Sequence, residues 1–599
     1  MSMSTTEYTN GESSRSDGTA PAGPDSARVV SGSAPLRANN LADRPWLASY
    51  APGVPTDIEL PEGSLSDLIR TSVKTYGPQI ALEFFGAETT YNQLGEQIDR
   101  AAEGLRRLGV KHGDRVALVL PNCPQHIAAF YAVLRLGAIV IEHNPLYTPK
   151  ELRHQFEDHG ARVVIAWDRV CETIQKMPDD LAVEHLISVD LTEGMPLHTR
   201  IALRLPVRKA RQARDALHGV ARHTTAWKTL LNHRRIKDSV PGPTREDLAL
   251  LQYTSGTTGS PKGAMLTHLN LHANALQGRA WLPELREGGE VVYGALPMFH
   301  AYGLTLCLTF AMSAGARLVL FPRFDVDLVL RAAKKHPPTF LPAVPPIYQK
   351  LAQTARDRGV DLHGIRFAIS GAMTLPASTV TLWEEVTGGI LVEGYGLTET
   401  SPVALGNPVG PTRKAGTIGV PFPSTEIRIV DREDPTLDLP QGEAGELLIR
   451  GPQVFAGYWQ KPDQTRDVLI EDGWFRTGDI VTSDAEGFVT VVDRIKELII
   501  TGGFNVSPSE VEEAVRLHPS VKDAAVVGLP GAGGSEDVVA AVVLVKGAKF
   551  EEKSIRDFCR DHLTAYKVPR RIVVIDELPT SLIGKVLRRR VREDLLTDS

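Results

Sequence analysis

Cysteine is scarce. Cys123, Cys171, Cys307 and Cys559 are the four in 599 residues, and no two of them stand at C-x-x-C spacing. Their spacing argues against a disulfide framework or zinc site, and a reducing cytosol is the default. Charge of one sign is lacking too: 66 Lys and Arg against 72 Asp and Glu leave a net charge of -6. No whole-molecule field draws the chain to nucleic acid, and an electrostatic partner has to be sought in a local patch. The first forty residues offer no apolar run for a signal sequence; residues 1-42, rich in Ser, Thr, Gly, Pro and Ala, read as a disordered tail. Val291 to Ala316 lacks Asp, Glu, Lys and Arg and has the length of a bilayer span. Gly294, Pro297, His300, Gly303 and Gly315 interrupt it, so it reads instead as strand, loop and buried helix.

Length is not lacking. A chain of 599 residues exceeds the roughly 250 to 300 that one hydrophobic core sustains, so at least two domains are expected. From about Ser64 to Thr400, short apolar runs such as Arg115 to Leu120, Arg162 to Ala166, Leu248 to Tyr253, Arg317 to Phe321 and Ile365 to Ser370 alternate with helix-length segments. That alternation predicts an α/β fold with parallel strands and crossover helices. From about Gly416 short alternating runs predict a β-rich subdomain, 416-494, closing a large N-terminal domain, 43-494. A hinge near 493-496 then leads to a small α+β domain, 497-599. Within it Ser507-Pro508-Ser509-Glu510 carries the pattern of a capping box opening a helix toward His518.

Between Arg200 and Lys237 eleven Lys or Arg face one acid, Asp215, and are interleaved with Ile201, Leu203, Leu205, Val207, Leu217, Val220 and Trp227. A basic amphipathic stretch of this kind suits an anionic membrane surface. A solvated, inserted helix pair accounts for it equally well.

The segment Tyr253-Thr254-Ser255-Gly256-Thr257-Thr258-Gly259-Ser260-Pro261-Lys262-Gly263 follows an apolar strand. Its backbone N-H groups and hydroxyls suit a polyphosphate, and Lys262 adds a point charge. It is not a P-loop: Pro261 rather than Gly precedes the lysine, and Gly263 stands where Ser or Thr would hold magnesium.

This string resembles the signature of the adenylate-forming superfamily, which holds acyl-CoA synthetases, luciferases and adenylation domains. Further blocks follow in the family's order: Leu296-Pro297-Met298-Phe299-His300, Gly394-Tyr395-Gly396-Leu397-Thr398-Glu399-Thr400, Thr477-Gly478-Asp479, Asp493-Arg494-Ile495-Lys496-Glu497-Leu498-Ile499 and Gly584-Lys585. The likeness runs from about Asp43 to Arg590. Asn144-Pro145-Leu146-Tyr147-Thr148-Pro149, Gly451-Pro452-Gln453-Val454 and Gly457-Tyr458-Trp459 resemble the bacterial long-chain fatty-acid-CoA ligases in particular.

The resemblance implies an AMP-forming acid-thiol ligase using ATP, magnesium and coenzyme A to activate a fatty acid. It implies nucleotide contacts at Thr254, Ser255, Gly256, Thr257, Thr258, Gly259, Lys262, Gly371, Ala372, Glu393, Gly394, Tyr395, Gly396 and Thr398. Ribose contacts are implied at Asp479 and Arg494, which would otherwise read as a structural salt bridge, and magnesium ligation at Glu399 and Thr254. Lys585, Lys262 and His300 are the implied catalytic residues; His300 also reads as a core histidine. Fixed cations are needed because an anionic carboxylate must attack an anionic triphosphate. Lys496 matches a hinge about which the small domain rotates, bringing Gly502, Gly503 and Phe504 toward the thiol channel. Val344-Pro345-Pro346-Ile347-Tyr348 is implied to lie near the acyl pocket. One departure stands out: Ile500 occupies a place where many relatives carry lysine.

Two other functions compete with this expectation. A fatty-acyl-AMP ligase loading a carrier protein is disfavoured by the uninterrupted run from Arg476 to Val506, and a catalytically silent membrane lipid-binding protein would have no need of Lys585, Glu399, Asp479 and Arg494 together. No nucleic-acid partner is expected, while a homodimer and a peripheral place on the inner membrane surface are both compatible with the sequence.

Overall fold

The alternating apolar runs resolve into two sheets with parallel centres. The computed structural model describes residues 41-597 other than 179, 255-260, 495-496, 502-503, 532-535 and 582-583; most of the proposed tail thus lies outside the described residues. Among these, one seven-stranded sheet has the order Thr225–Ala226, His185–Val189, Val163–Trp167, Arg115–Val119, Ile139–Glu142, Leu248–Thr254, Lys262–Thr267. It is parallel up to Leu248–Thr254, which turns back antiparallel onto Lys262–Thr267.

A nine-stranded sheet has the order Val420–Pro421, Val403–Gly406, Ile390–Gly396, Phe367–Ser370, Phe340–Ala343, Val291–Gly294, Arg317–Leu320, Ile80–Phe84, Ala87–Thr90. Its central strands are parallel and its two ends antiparallel. The parallel strands are almost wholly buried, as expected where helices cover both faces. The charge-free stretch from Val291 to Ala316 is the strand Val291–Gly294, a loop, and a helix that turns π-helical over Leu304–Thr309. No helix among the described residues is long and apolar enough to cross a membrane.

The β-rich stretch is a four-stranded antiparallel sheet of Glu426–Val430, Gly445–Arg450, Phe475–Ser483 and Val489–Arg494. Beyond it, Val521–Pro530, Glu536–Leu544 and Arg571–Val574 form a separate sheet with its own apolar clusters. Only half of the predicted capping box forms at the helix Pro508–Arg516. The Ser507 hydroxyl accepts from the Glu510 N-H at 3.2 Å, but the Glu510 carboxylate turns to Lys567 Nζ, 2.7 Å away. A full ion pair outcompetes the weaker return bond to the cap. The four cysteines are buried and unbridged.

Candidate functional site

The parallel strands of the larger sheet end on one side, and the motif residues sit there. His300 follows Val291–Gly294, Pro346 follows Phe340–Ala343, Gly371 and Ala372 follow Phe367–Ser370, and Tyr395 lies in the last turn of Ile390–Gly396. These four strands are neighbours, in register through Val292 with Phe340, Ala343 with Ser370 and Ser370 with Glu393. Loops at the carboxyl ends of adjacent parallel strands are where open α/β sheets bind ligands.

Glycine is required where the backbone passes another chain segment. A Cβ on Gly396 would lie 1.8 Å from the carbonyl oxygen of Pro402, and one on Gly371 would lie 3.0 Å from Cζ of Tyr302. Ala372 adopts φ of 67°, unusual for a residue with a side chain. Tyr302 braces this floor: its hydroxyl donates to the carbonyl of Ile369 at 2.7 Å.

His300 is fixed by its own helix. Its Nδ1 accepts from the Tyr302 N-H at 3.3 Å, which leaves the proton of the neutral ring on Nε2. Desolvation first, and the Lys585 cation second, push its pKa down to about 4. His300 is therefore a neutral donor at physiological pH, with Lys585 close enough to be felt. Lys585 stands on a self-closed turn: Ser581 N donates to the Lys585 carbonyl at 2.7 Å, Gly584 N to the Ser581 carbonyl at 2.8 Å, and Thr580 bridges Val586. Gly584, at φ of 80°, faces Pro346 and Met373: a Cβ built on it would lie 3.6 Å from Pro346 Cγ and 3.7 Å from Met373 Sδ.

A second group of motif residues gathers on the paired strands Leu248–Thr254 and Lys262–Thr267. Ser255, Gly256, Thr257, Thr258, Gly259 and Ser260 lie outside the described residues, but Thr254 and Lys262 pair across the hairpin at its base. Segment 455-459 adds to its outer strand: Met265 N donates to the Gly457 carbonyl at 2.8 Å and Trp459 N to that of Gly263 at 2.8 Å. This addition seats Tyr458 beneath the hairpin. Lys262 Nζ stands 4.9 Å from the Tyr458 ring centroid, and the Tyr458 hydroxyl donates to Glu399 Oε1 at 2.8 Å. Glu399 is buried in the turn Thr398–Thr400, and its carbonyl accepts from Phe455 N at 2.9 Å. Burial and the Glu399 charge hold the Tyr458 phenol well above its ordinary range. The helix His268–Ala280 locks the segment in place, with Asn270 Nδ2 donating to the carbonyls of Pro452 and Val454, both at 2.8 Å.

Tyr395 donates its hydroxyl to the buried carboxylate of Asp479 at 2.5 Å. Asp479 is in turn the register partner of Arg494 on the neighbouring strand. The structure thus brings Tyr395, Asp479 and the Arg494 backbone together, Lys262 and Glu399 together through Tyr458, and Lys585 toward His300. Lys496, Gly502 and Gly503 lie outside the described residues, as do the side chains of Arg494 and Phe504. Tyr348 belongs to the core rather than to a pocket wall: its hydroxyl donates to the carbonyls of Leu341 and Ile369 at 2.6 and 2.8 Å. Ile500 is largely exposed, its N-H donating to Glu536 at 3.1 Å.

Glu393 is the titratable group nearest Tyr395 along the strand, and burial raises its carboxyl to about 7, partly offset by the Leu375 N-H. The native state therefore holds a proton that the unfolded chain, with a pKa near 4.5, releases. Native stability should fall as pH rises from about 4.5 to 7 and stay level above. Glu393→Gln removes this penalty, so denaturant unfolding should find the variant more stable than wild type at pH 8 by about 1-2 kcal/mol, discounting for partial exposure. Below about pH 4.5 the advantage should vanish; an advantage independent of pH would contradict the assignment.

Comparison with known proteins gives the family. The AMP-binding enzyme family matches residues 69-459, and the AMP-binding enzyme C-terminal domain matches residues 510-585. The chain belongs to the AMP-binding enzyme family. Among curated relatives of this AMP-binding enzyme, a long-chain-fatty-acid--CoA ligase of Bacillus subtilis (strain 168) is 38% identical over 554 residues, covering 92% of this chain and 98% of the relative. A long-chain-fatty-acid--CoA ligase of Escherichia coli O157:H7 is 39% identical over the same share of each. The crystal structure of ATP-bound MatB from Rhodopseudomonas palustris matches with a TM-score of 0.76 and 29% identity, over 88% of this chain and 98% of that one.

Sequence reasoning left Tyr458, Tyr302 and Met373 out of the site. Tyr458 was visible only as part of Gly457-Tyr458-Trp459, a string that marks the subgroup and carries no hint of a carboxylate partner 59 positions away.

Proposed function

We propose that this AMP-binding enzyme is a long-chain-fatty-acid-CoA ligase. It joins a fatty acid to ATP as acyl-adenylate and diphosphate, then passes the acyl group to the thiol of coenzyme A with release of AMP. The observation that carries the reading is that the Lys585 turn faces Pro346 and Met373, with the lysine cation among the causes that lower the His300 pKa. In this reading that positive charge serves the point where carboxylate and α-phosphate must meet.

In this reading Tyr395 offers an aromatic face to adenine, with Gly371, Ala372, Glu393, Gly394, Gly396 and Thr398 shaping the cradle. Asp479 accepts from the ribose hydroxyls and Arg494 donates to them. Lys262 and the hairpin 254-262 hold the polyphosphate, and neutral His300 donates from Nε2 toward the carboxylate. The Glu399 carboxylate, oriented by Tyr458, and the Thr254 hydroxyl are hard oxygen donors that fit magnesium, which would offset charge on the phosphates. The chain divides into a large domain, 43-494, and a small one, 497-599, hinged at Lys496. Rotation there withdraws Lys585 after adenylation and brings Gly502, Gly503 and Phe504 to the thiol. Purified protein with ATP, magnesium and palmitate should turn over to palmitoyl-CoA, AMP and diphosphate when coenzyme A is present, and without it should stop at about one enzyme equivalent of acyl-AMP and diphosphate. Acyl-AMP accumulating regardless of coenzyme A would point to a carrier-protein acceptor and overturn the reading.

A peripheral membrane site belongs to the same proposal. The helices Leu197–Ala202 and Arg208–Asp215 bury no residue. Leu197, Ile201, Leu205, Val207 and Val220 are each more than half exposed, beside Arg200, Arg204, Arg208, Lys209, Arg211 and Arg214. Apolar side chains ringed by cations complement an anionic bilayer, at about 1 kcal/mol per cation near the surface. Neutralising Arg208, Lys209, Arg211 and Arg214 together should lower co-sedimentation with phosphatidylglycerol vesicles at least about a hundredfold in partition coefficient. Unchanged partitioning would remove the membrane from the account.

A further inference from the structure

The basic excursion meets the smaller parallel sheet through the Trp167 indole N-H on the Leu217 carbonyl at 3.0 Å, through the strand Thr225–Ala226, and through a cluster of two carboxylates and an imidazole. Asp168 follows the strand Val163–Trp167 and Asp190 follows the adjacent strand His185–Val189, so both carboxylates stand at the carboxyl end of that sheet. His218 reaches them from the chain returning after Arg208–Asp215. Its Nδ1 lies 2.5 Å from Asp168 Oδ2 and 3.4 Å from Asp190 Oδ2. The three ligand atoms all fall within 4.8 Å of one another.

The outer oxygen of each carboxylate is already engaged. Asp168 Oδ1 accepts from Gly219 N at 2.9 Å. Asp190 Oδ1 accepts from the Thr192 N-H at 2.8 Å and its hydroxyl at 2.7 Å. These bonds occupy the two Oδ1 atoms and leave both Oδ2 atoms to His218, as outer partners do for carboxylates around metal centres. A single proton on Nδ1 can serve one carboxylate only, leaving the second charge uncompensated beside a carboxylate that is 4% exposed. Asp190 and His218 remain partly open to solvent, which supplies an entry path.

We infer that Asp168, Asp190 and His218 bind one divalent transition-metal ion of the zinc class, which fastens the basic excursion to the sheet. One imidazole with two carboxylates is a mixed nitrogen and oxygen set that suits zinc, cobalt or manganese better than calcium. Ligand bonds of about 2.0-2.1 Å in a tetrahedron put ligand atoms about 3.3-3.4 Å apart. The His218–Asp190 separation already has that value, and Asp168 needs to move back by less than about 1 Å.

The test uses full-length protein stripped with chelator, titrated with Zn²⁺ by calorimetry and with Co²⁺ by visible absorption. One saturable equivalent is expected, with Zn²⁺ slowing tryptic cleavage between Arg204 and Arg222. Asp190→Asn, nearly isosteric and able to keep the Thr192 bonds, and His218→Gln should each weaken binding at least about tenfold and abolish the protection; circular dichroism confirms that both fold. No saturable binding, binding unchanged in both variants, or binding without protection would each overturn the proposal and leave a plain ion pair.

Discussion

Lys585→Ala is expected to reduce acyl-adenylate formation from acid and ATP by about 10²-10³-fold, while preformed acyl-AMP still reacts with coenzyme A at close to the wild-type rate. The size follows from removing one preorganised positive group at the point where negative charge accumulates. The asymmetry follows from the two half-reactions needing different neighbours: no second anion has to be approached once diphosphate has left. Single-turnover measurements of each half-reaction check it, and equal loss in both would sink the two-state reading. An independent readout comes from His300. With the lysine gone, the smaller of the two causes that hold its pKa near 4 disappears, so its NMR titration should move upward.

Gly396→Ala is expected to cost about 3 kcal/mol of stability and at least about a hundredfold in nucleotide affinity. The added Cβ would meet the Pro402 carbonyl at 1.8 Å. The obstacle is backbone, so no side chain can turn aside, and the strand carrying Tyr395 must shift. Tyr395 would then lose its alignment with Asp479. Gly394→Ala is the comparison: its Cβ meets Ile369 Cγ2 at 3.2 Å, a side chain that can give, and its effect should be several-fold smaller. Denaturant unfolding and equilibrium binding of a fluorescent ATP analogue measure both. Equal effects in the two variants would show that backbone crowding is not the cause.

Much of the site was legible because each block is a local string. Gly394-Tyr395-Gly396, Thr477-Gly478-Asp479 and Gly584-Lys585 each carry their chemistry within a few residues, and the alternation of apolar runs announced the parallel sheets. What was not legible is pairing at a distance. Nothing in one dimension joins Tyr395 to Asp479 across 84 positions or Tyr458 to Glu399 across 59, because those contacts exist only after strands from distant segments align. Tyr348 shows the converse: a residue beside motif prolines was placed at a pocket, but its hydroxyl is spent on two backbone carbonyls inside the core. Glu510 makes the same point locally. Its spacing from Ser507 suits a reciprocal cap, yet Lys567, 57 positions away, claims the carboxylate.

The closed turn around Lys585 has a mechanical consequence. Its internal bonds, Ser581 with Lys585 and Thr580 with Val586, close within the turn itself, and a carbon added at Gly584 would come to 3.6 Å from the Pro346 ring and 3.7 Å from Met373 Sδ. Under the proposed rotation those internal bonds can persist whether the turn is docked or withdrawn. The lysine would then be carried as part of a preformed unit, with no turn to rebuild in each catalytic cycle.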